Sequence, residues 1–381
     1  MNKKERLEAV LHHKKIDMIP WTMYASFPPW GEVERKFRNQ GLTLIYQHFP
    51  IVKTYLHETV EVHEESNYIL KGKRGRNIIL RKFKTPIGQI SAQHEFFIDS
   101  VPLPGDLIQR FGSEIEMELL SWVTKHPFKN EADYKVLEYI YKNTEFRPNY
   151  QDFIFTDKII GTDGYVMANI GKSPFQVLLY ELMGAQNCYL EFASNNKKAK
   201  RLFEVIYEHQ KKKVSLASKS PATLIWIPDN VTTSLTSPNY FEEYYMPFYN
   251  EMADILHRED KILAVHMDGN LKSLVNLIAK TRIDIIEAFT PLPMGDLSVA
   301  EAKKAWKDKI IWINFPGTLL ATSNSDTIEN YTIEMLRSVA PGDNFIIGCT
   351  ENYPMEKWEM AFGGIANAIK KYGKYPINKK K

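Results

Sequence analysis

The sequence has little cysteine and lacks long apolar runs. Only Cys188 and Cys349 occur among 381 residues, too few for a disulfide framework, which favours a reducing compartment. No stretch approaches the roughly 18 consecutive apolar residues that a membrane-spanning helix needs. Residues 1–11 mix charged and apolar side chains, unlike a secretory signal. We therefore expect a cytoplasmic protein with no membrane partner.

A large charge of one sign is absent as well. The 49 basic and 46 acidic residues give a formal net charge of +3 and are spread along the chain, so we expect no nucleic-acid partner. No Gly-rich turn of the G-x-G-x-x-G or P-loop kind follows a predicted strand. This absence counts against an open, doubly wound sheet, the alternative architecture for a chain in which strands and helices alternate.

The sequence does contain a regular alternation of short apolar strands and longer helical stretches after Tyr165. Such alternation predicts parallel strands joined by right-handed helical crossovers. The predicted strands are residues 165–169, 223–227, 262–266, 283–288, 310–314 and 345–348. The clearest predicted helices are residues 194–219, 239–258, 271–281, 299–306, 326–339 and 355–372.

Two further strands complete the predicted sheet. A helix over residues 4–13 precedes a buried strand at residues 18–24, and an eighth strand is expected among residues 100–160. The sequence therefore predicts an α/β fold, a (β/α)₈ TIM barrel, as a single domain over residues 1–381. Short apolar runs broken by charges predict antiparallel hairpins inserted at about residues 55–98, with a turn at residues 71–75.

In such a barrel the chemistry lies where the strands end, and His266 and Asp268 follow an apolar strand at this position. Strand side chains alternate, so both residues face the same side, where imidazole and carboxylate can share one metal ion or one proton. The alternative is a structural pair, with His266 bonded to backbone and Asp268 capping the next helix. We favour the functional interpretation because of the position.

A second apolar strand runs into Cys349 and Glu351, which have the same two-residue spacing. Both are plausible zinc ligands, although a single cysteine is more often a small buried apolar residue. Further polar residues end other strands, and each of them could instead cap a helix or satisfy a loop. The further polar candidates are Asp229, Asn230, Glu287 and Asn314. The aromatic candidates for a substrate pocket are Trp21, Tyr24, Trp226 and Phe289.

These segments resemble the uroporphyrinogen decarboxylase superfamily and, within it, the corrinoid-dependent methyltransferases. The resemblance covers essentially the whole chain and implies a (β/α)₈ barrel, in agreement with the strand count. It rests on Lys4-Glu5-Arg6-Leu7 with Asp17-Met18-Ile19-Pro20, on Asp229-Asn230 through Ser237-Pro238 with Tyr245-Met246-Pro247-Phe248, on His266-Met267-Asp268-Gly269-Asn270, and on Gly348-Cys349.

The resemblance also implies a zinc ion. Zinc-dependent members carry a His-x-Cys pair at the position of His266 and Asp268 and a further cysteine at that of Cys349. The implied ligands are therefore His266, Asp268 in place of a thiolate, Cys349, and either Glu351 or Glu287. Because a carboxylate is a harder ligand than a thiolate, the metal should favour oxygen over sulfur. We therefore expect a methoxylated substrate, and one with an aromatic leaving group, because a phenol has a pKa of about 10.

By the same resemblance the methyl group passes to the reduced cobalt of a corrinoid. No D-x-H-x-x-G corrinoid-binding signature occurs in the chain, so the cofactor is expected on a separate partner protein. Uroporphyrinogen decarboxylation is an alternative, but residues 21–30 contain no basic side chain to pair with a polyanionic substrate. A barrel that binds a ligand or a corrinoid protein without catalysis is the third hypothesis, and a homodimer stays open.

Overall fold

The computed structural model describes residues 1–28, 31–71, 74–97, 122–351 and 354–378. Its strands are β1 Trp21–Tyr24, β2 Leu42–Pro50, β3 Val52–Leu56, β4 Glu61–Lys71, β5 Arg74–Thr85, β6 Gly88–Phe97, β7 Trp122–Lys125, β8 Thr144–Pro148, β9 Gly164–Asn169, β10 Leu224–Val231, β11 Ile262–Met267, β12 Ile285–Phe289, β13 Ile310–Asn314 and β14 Phe345–Cys349.

Eight of these strands form a closed barrel, in the order β1-β14-β13-β12-β11-β10-β9-β2. The register is parallel between neighbours, as in Ala264↔Ile285 of β11 and β12 and Trp21↔Leu42 of β1 and β2. Every residue of β12, β13 and β14 is buried, as expected for strands that are covered on both faces. The predicted (β/α)₈ TIM barrel is therefore confirmed.

The strand that completes the barrel is β2, so its predicted location among residues 100–160 is wrong. The described part of that range, from residue 122 onward, contributes β7 and β8, which pair antiparallel with β6 and β3. In the described part of the crossover from β1 to β2, the helix is the short Glu32–Asn39. That helix has only eight residues and only two apolar side chains, Val33 and Phe37, which is too few to reveal the repeating unit from the sequence.

The seven predicted helices are present and, together with the short helical segments that adjoin them, agree with their predicted positions to within about four residues, and the structure contains further helices that were not predicted. The longer helices are Lys3–Leu11, Glu32–Asn39, Asp133–Lys142, Tyr150–Ile160, Gly184–Ala193, Lys197–Ala217, Met246–His257, Val275–Lys280, Val299–Ala305, Gly317–Thr322, Ser325–Ser338 and Trp358–Tyr372. Two π-helical segments, Val177–Leu182 and Phe241–Tyr245, interrupt the regular geometry. No helix in the described ranges is both long and apolar enough to cross a lipid bilayer.

The chain packs into two compact units. The first consists of Met1–Gln47, Ile154–Met167 and Thr223–Lys381, and the second of His48–Phe153 and Ala168–Ala222. The second unit holds the antiparallel sheets β4-β5-β6-β7 and β3-β8. The pairing of β4 with β5 and of β5 with β6 confirms the predicted hairpins. Gly72 and Lys73 of the predicted turn lie outside the described residues, and the single domain over residues 1–381 stays a prediction.

Candidate functional site

A fully buried carboxylate, that of Glu287, the middle residue of β12, is surrounded by three hydrogen-bond donors. The Tyr24 hydroxyl donates to Oε1 over 2.7 Å. The Trp226 indole N–H donates to Oε2 over 3.0 Å, and His266 Nδ1 lies 2.8 Å from the same oxygen. The three donors come from β1, β10 and β11, so the closed barrel itself assembles this cluster. Burial of the charge is tolerated because these donors replace water.

The contact with Glu287 fixes the proton position on the His266 ring. A carboxylate only accepts, so Nδ1 carries a proton and, in the neutral ring, Nε2 carries the lone pair. Tyr24 Oη lies 3.3 Å from the same Nδ1. Burial, followed by the negative charge of Glu287, raises the pKa of Tyr24 well above its ordinary value, so its hydroxyl stays protonated. His266 is thereby oriented as a group that can give and take a proton at Nε2.

The backbone beside Glu287 adopts an unusual conformation. Ala288 has a φ of 59°, in the left-handed region that non-glycine residues rarely occupy. The pairing register of β12 with β13 shifts between Ile286 and Phe289. Regular alternation would turn Phe289 to the same side as Glu287, but Phe289 instead packs edge-to-face on Trp306, with ring centroids 5.5 Å apart. The bulge therefore separates the carboxylate from the aromatic ring that was predicted to line a substrate pocket.

Two more carboxyl groups lie near His266. With its amide nitrogen facing Asp268, Asn230 donates to Oδ1 over 2.7 Å and to Oδ2 over 3.1 Å. Asn314 donates to Glu351 Oε1 over 2.9 Å. Burial raises the pKa of both Asp268 and Glu351, while the charge of His266 acts in the opposite direction on each. Five predicted polar residues, together with Glu287, thus lie within each other's electrostatic range or hydrogen-bond reach.

Gly317 keeps the space beside Glu351 open. A Cβ atom at this position would lie 2.8 Å from Glu351 Oε2, closer than nonbonded carbon and oxygen atoms approach. Asn314 also accepts a hydrogen bond from the Thr350 backbone N–H, over 3.1 Å. The ends of β13 and β14 are therefore tied together by Asn314, and Glu351 is held against the start of the helix Gly317–Thr322.

Other predicted site residues face the helices. Trp21 packs against Phe37 and Phe362, with ring centroids 6.2 and 6.0 Å apart. Asp229 is fully buried and accepts a hydrogen bond of 2.5 Å from Tyr249 on the helix Met246–His257. Nothing in the sequence marks Tyr249 as this partner, because the two residues are 20 positions apart and meet only through the packing of strand on helix.

Cys349 lies on the opposite face of the sheet from the His266 cluster. Trp312 donates to Thr22 Oγ1 over 2.8 Å, and a Cβ on Gly348 would lie 2.7 Å from Trp312 Nε1. Thr22 and Gly348 therefore share one face, and Tyr24 follows Thr22 on it. Cys349 is the register partner of Met23 on the other face, towards the helices. Burial raises the pKa of its thiol far above the ordinary value.

The side chains present do not fit the predicted zinc site. In the described ranges, no three groups among His, Cys, Asp and Glu are arranged to hold a metal ion. Cys349 faces away, and Glu287 already accepts from Tyr24, Trp226 and His266. The arrangement is instead that of a histidine oriented by a buried carboxylate, with two further carboxyl groups nearby. Such a constellation supports general acid–base chemistry.

An aromatic wall adjoins this cluster. The rings of Tyr24 and Trp226 lie 6.2 Å apart, and the Trp226 ring lies 6.0 Å from that of His266, both edge-to-face. Phe27, partly exposed, stacks on Tyr24 at 6.0 Å. Of the four aromatic residues predicted for the pocket, Tyr24 and Trp226 are therefore part of the cluster, and Trp21 and Phe289 are not.

Comparisons with known proteins agree with this architecture. A family model described as uroporphyrinogen decarboxylase (URO-D) matches residues 88–359. A solved structure, a methyltransferase from Methanosarcina mazei, is similar over 97% of this chain and 99% of that chain, with a TM-score of 0.55 and 12% sequence identity. At this identity the likeness concerns the fold. No curated protein matches the sequence.

Proposed function

The chain belongs to the uroporphyrinogen decarboxylase family, and from this premise we propose that it is a methyltransferase. Its substrate in this proposal is a methoxylated aromatic small molecule, and the methyl acceptor is the reduced corrinoid of a separate partner protein. The observation that carries the proposal is the contact of 2.8 Å between His266 Nδ1 and Glu287 Oε2. It orients a proton donor beside the aromatic side chains of Tyr24 and Trp226.

The charge of the site favours this reaction over decarboxylation of a polyanion. The charged groups that shift the pKa values of Asp268 and Glu351 are His266 and neighbouring carboxylates, with no arginine or lysine among them in the described part of the chain. A substrate with several carboxylates would therefore meet the negative charge of neighbouring carboxylates, with His266 as the one cation among these groups. A neutral methyl ether carries no such penalty.

Methyl transfer needs an acid at the leaving oxygen. The corrinoid supplies the nucleophile that takes the methyl group. The bond between methyl carbon and ether oxygen breaks, and its electron pair stays on the oxygen. Protonated His266 then gives its Nε2 proton to this oxygen, which leaves as a phenol, and His266 becomes neutral with its remaining proton on Nδ1. Glu287 stabilises the protonated ring before the transfer and holds its orientation throughout.

Zinc has no part in these steps, because the predicted ligands do not converge. It remains a prediction, and elemental analysis of the purified protein measures it directly. The corrinoid protein as partner and the methoxylated aromatic substrate are likewise carried over from the family resemblance and need a direct assay.

The acid role of His266 is tested with two substrates of different leaving-group acidity. Anisole releases phenol, with a pKa of about 10, while 4-cyanoanisole releases a stronger acid that needs less help from a proton donor. We expect His266→Gln to slow demethylation of anisole by roughly 10²- to 10⁴-fold and that of 4-cyanoanisole clearly less. The exposed His63 provides the matched control, since His63→Gln should change neither rate.

The assay measures phenol release in the presence of reduced corrinoid as methyl acceptor. If His266→Gln slowed demethylation of anisole and of 4-cyanoanisole by the same factor, His266 would not be the proton donor. Turnover of a methyl thiol or a methylamine, with none of any methoxylated aromatic, would overturn the substrate class. Loss of carboxyl groups from uroporphyrinogen on incubation with the protein would favour the decarboxylase alternative.

A further inference from the structure

The helix Lys197–Ala217 buries a lysine on its apolar face. This face is lined by Ala, Leu, Phe, Ile and Val side chains, and the polar residues buried with them are Gln210 and Lys213. Lys213 is only 6% exposed, whereas its neighbour Lys212 is exposed. A buried ammonium group loses its hydration, and this loss costs free energy unless another group compensates for it.

Among the residues that the structure describes, none compensates for this loss at close range. Within the described part of the chain, Lys213 makes neither a hydrogen bond nor an ion pair. Burial lowers the pKa of Lys213 to about 8, and the charge of Glu181 opposes this shift. The carboxylate of Glu181 is therefore close enough to affect Lys213 electrostatically, but it forms no ion pair with Lys213. His209, one turn earlier, also lies in the field of Lys213, which contributes to lowering the pKa of His209.

The ammonium group lies over the backbone that follows β9. A Cβ atom on Gly171 would lie 3.4 Å from Lys213 Nζ and 3.5 Å from Gln210 Nε2. Gly171 has a φ of 81°, in the left-handed region that favours glycine. Its N–H donates to Asn169 Oδ1 over 2.7 Å, and Gln210 Nε2 donates to the Lys172 carbonyl over 2.9 Å. Lys213 Nζ and Gln210 Nε2 thus point towards Gly171, which is partly exposed. Because Gly171 has no side chain, the space in front of the two nitrogen atoms is open.

We propose that Lys213 Nζ and Gln210 Nε2 form a binding site for the carboxylate of a small organic acid at the carboxyl end of β9. One ammonium group and one amide N–H match the two oxygens of a single carboxylate. The nearby negative charge of Glu181 opposes a doubly charged ligand such as phosphate. The site lies where barrel enzymes bind their ligands, at the end of a parallel strand. It goes beyond the proposed methyl transfer and does not depend on it.

The test compares benzoate with benzamide, its neutral analogue of nearly the same shape, by calorimetry on the full chain. We expect saturable benzoate binding that weakens at least tenfold in Lys213→Met and stays unchanged in Lys212→Met. Benzamide should bind wild type and Lys213→Met equally weakly. Equal benzoate affinity of wild type and Lys213→Met, or no saturable binding by the wild type, would overturn the proposal. Tighter binding of inorganic phosphate than of benzoate would overturn the preference for a carboxylate.

Two further measurements separate binding from folding and from a pair with Glu181. Lys213→Met removes the buried charge at similar side-chain length, so thermal unfolding should show it to be at least as stable as the wild type. Removing the competing charge in Glu181→Gln should tighten benzoate binding. Benzoate binding that Glu181→Gln leaves unimproved would refute the site.

Discussion

Glu287 holds His266 in one tautomer, because its Oε2 atom lies 2.8 Å from Nδ1 of the imidazole ring. The same oxygen accepts from Trp226, and Oε1 accepts from Tyr24. A single buried carboxylate thus sets the position of three side chains from three strands. The chemistry proposed for this site depends on that carboxylate more than on any single donor around it.

Glu287→Gln should therefore damage both stability and turnover. An amide has only one oxygen, so its NH₂ group would face either Tyr24 or both Trp226 and His266, and would leave at least one donor without an acceptor. We expect a loss of about 1–3 kcal/mol in the free energy of unfolding, measured with urea, and a fall in demethylation of the order of 10³–10⁴, as for other histidines that lose an orienting carboxylate. Unchanged turnover would show that His266 needs no such partner.

Gly317→Ala should disturb the site through a single methyl group. The new Cβ would lie 2.8 Å from Glu351 Oε2 and would force this carboxylate to move away from Asn314. We expect a clear drop in turnover at nearly unchanged thermal stability. Gly363→Ala is the matched control, because a Cβ there meets only Ser325 Oγ, at 4.0 Å. Equal activity of both variants would mean that the position of Glu351 is unimportant.

The stability of the protein should fall on mild acidification, in part through His209. Burial lowers the pKa of His209 from 6.5 to about 3, so the unfolded chain binds a proton that the folded chain does not. This contribution is fully present above pH 6.5 and is lost progressively as the pH falls towards 3. His209→Gln should make the decline between pH 6 and 5 shallower by roughly 1 kcal/mol per pH unit. The exposed His12 is the control site, since its replacement should leave the slope of urea-measured stability unchanged.

Cys349→Ser should not alter any metal content of the purified protein. The thiol is buried on the helix-facing side of β14, away from His266. Elemental analysis of wild type, Cys349→Ser and His266→Ala under zinc-replete conditions checks this expectation. Loss of zinc in Cys349→Ser would support the predicted zinc site. Cys349 would then have to face the barrel interior and not the helices.

The barrel was predictable because each strand and helix carries its own local pattern. The strand Ile310–Asn314 matches its predicted bounds, and the helix Ser325–Ser338 differs from its prediction by one residue at each end. The strand β2 escaped prediction because the helix before it, Glu32–Asn39, is short and dominated by charged side chains. Local patterns therefore sufficed for these elements and failed for this short crossover.

The site was predictable in its residue types and less so in their directions. The predicted polar ends of three strands indicated His266, Glu287 and Asn314. His266 and Asn314 do lie at the ends of β11 and β13, whereas Glu287 is the middle residue of β12. Strict alternation failed at Phe289, because the left-handed Ala288 and a register shift reverse its direction. The two-residue spacing of Cys349 and Glu351 also misled, because Glu351 contacts Asn314 while Cys349 lies on the helix-facing side. Which face of the barrel each strand turns inward depends on contacts such as that of Trp312 with Thr22. Such contacts between distant strands leave no trace in the local sequence.

The indole of Trp226 donates to the carboxylate that also orients the proposed acid. Indole emission responds to the charge at its N–H, so this hydrogen bond makes Trp226 an intrinsic optical sensor. The chain has seven tryptophans, and the difference in fluorescence between wild type and Trp226→Phe isolates the signal of this one. Substrate arrival and protonation of the His266–Glu287 pair can thus be followed by stopped-flow spectroscopy without any added label.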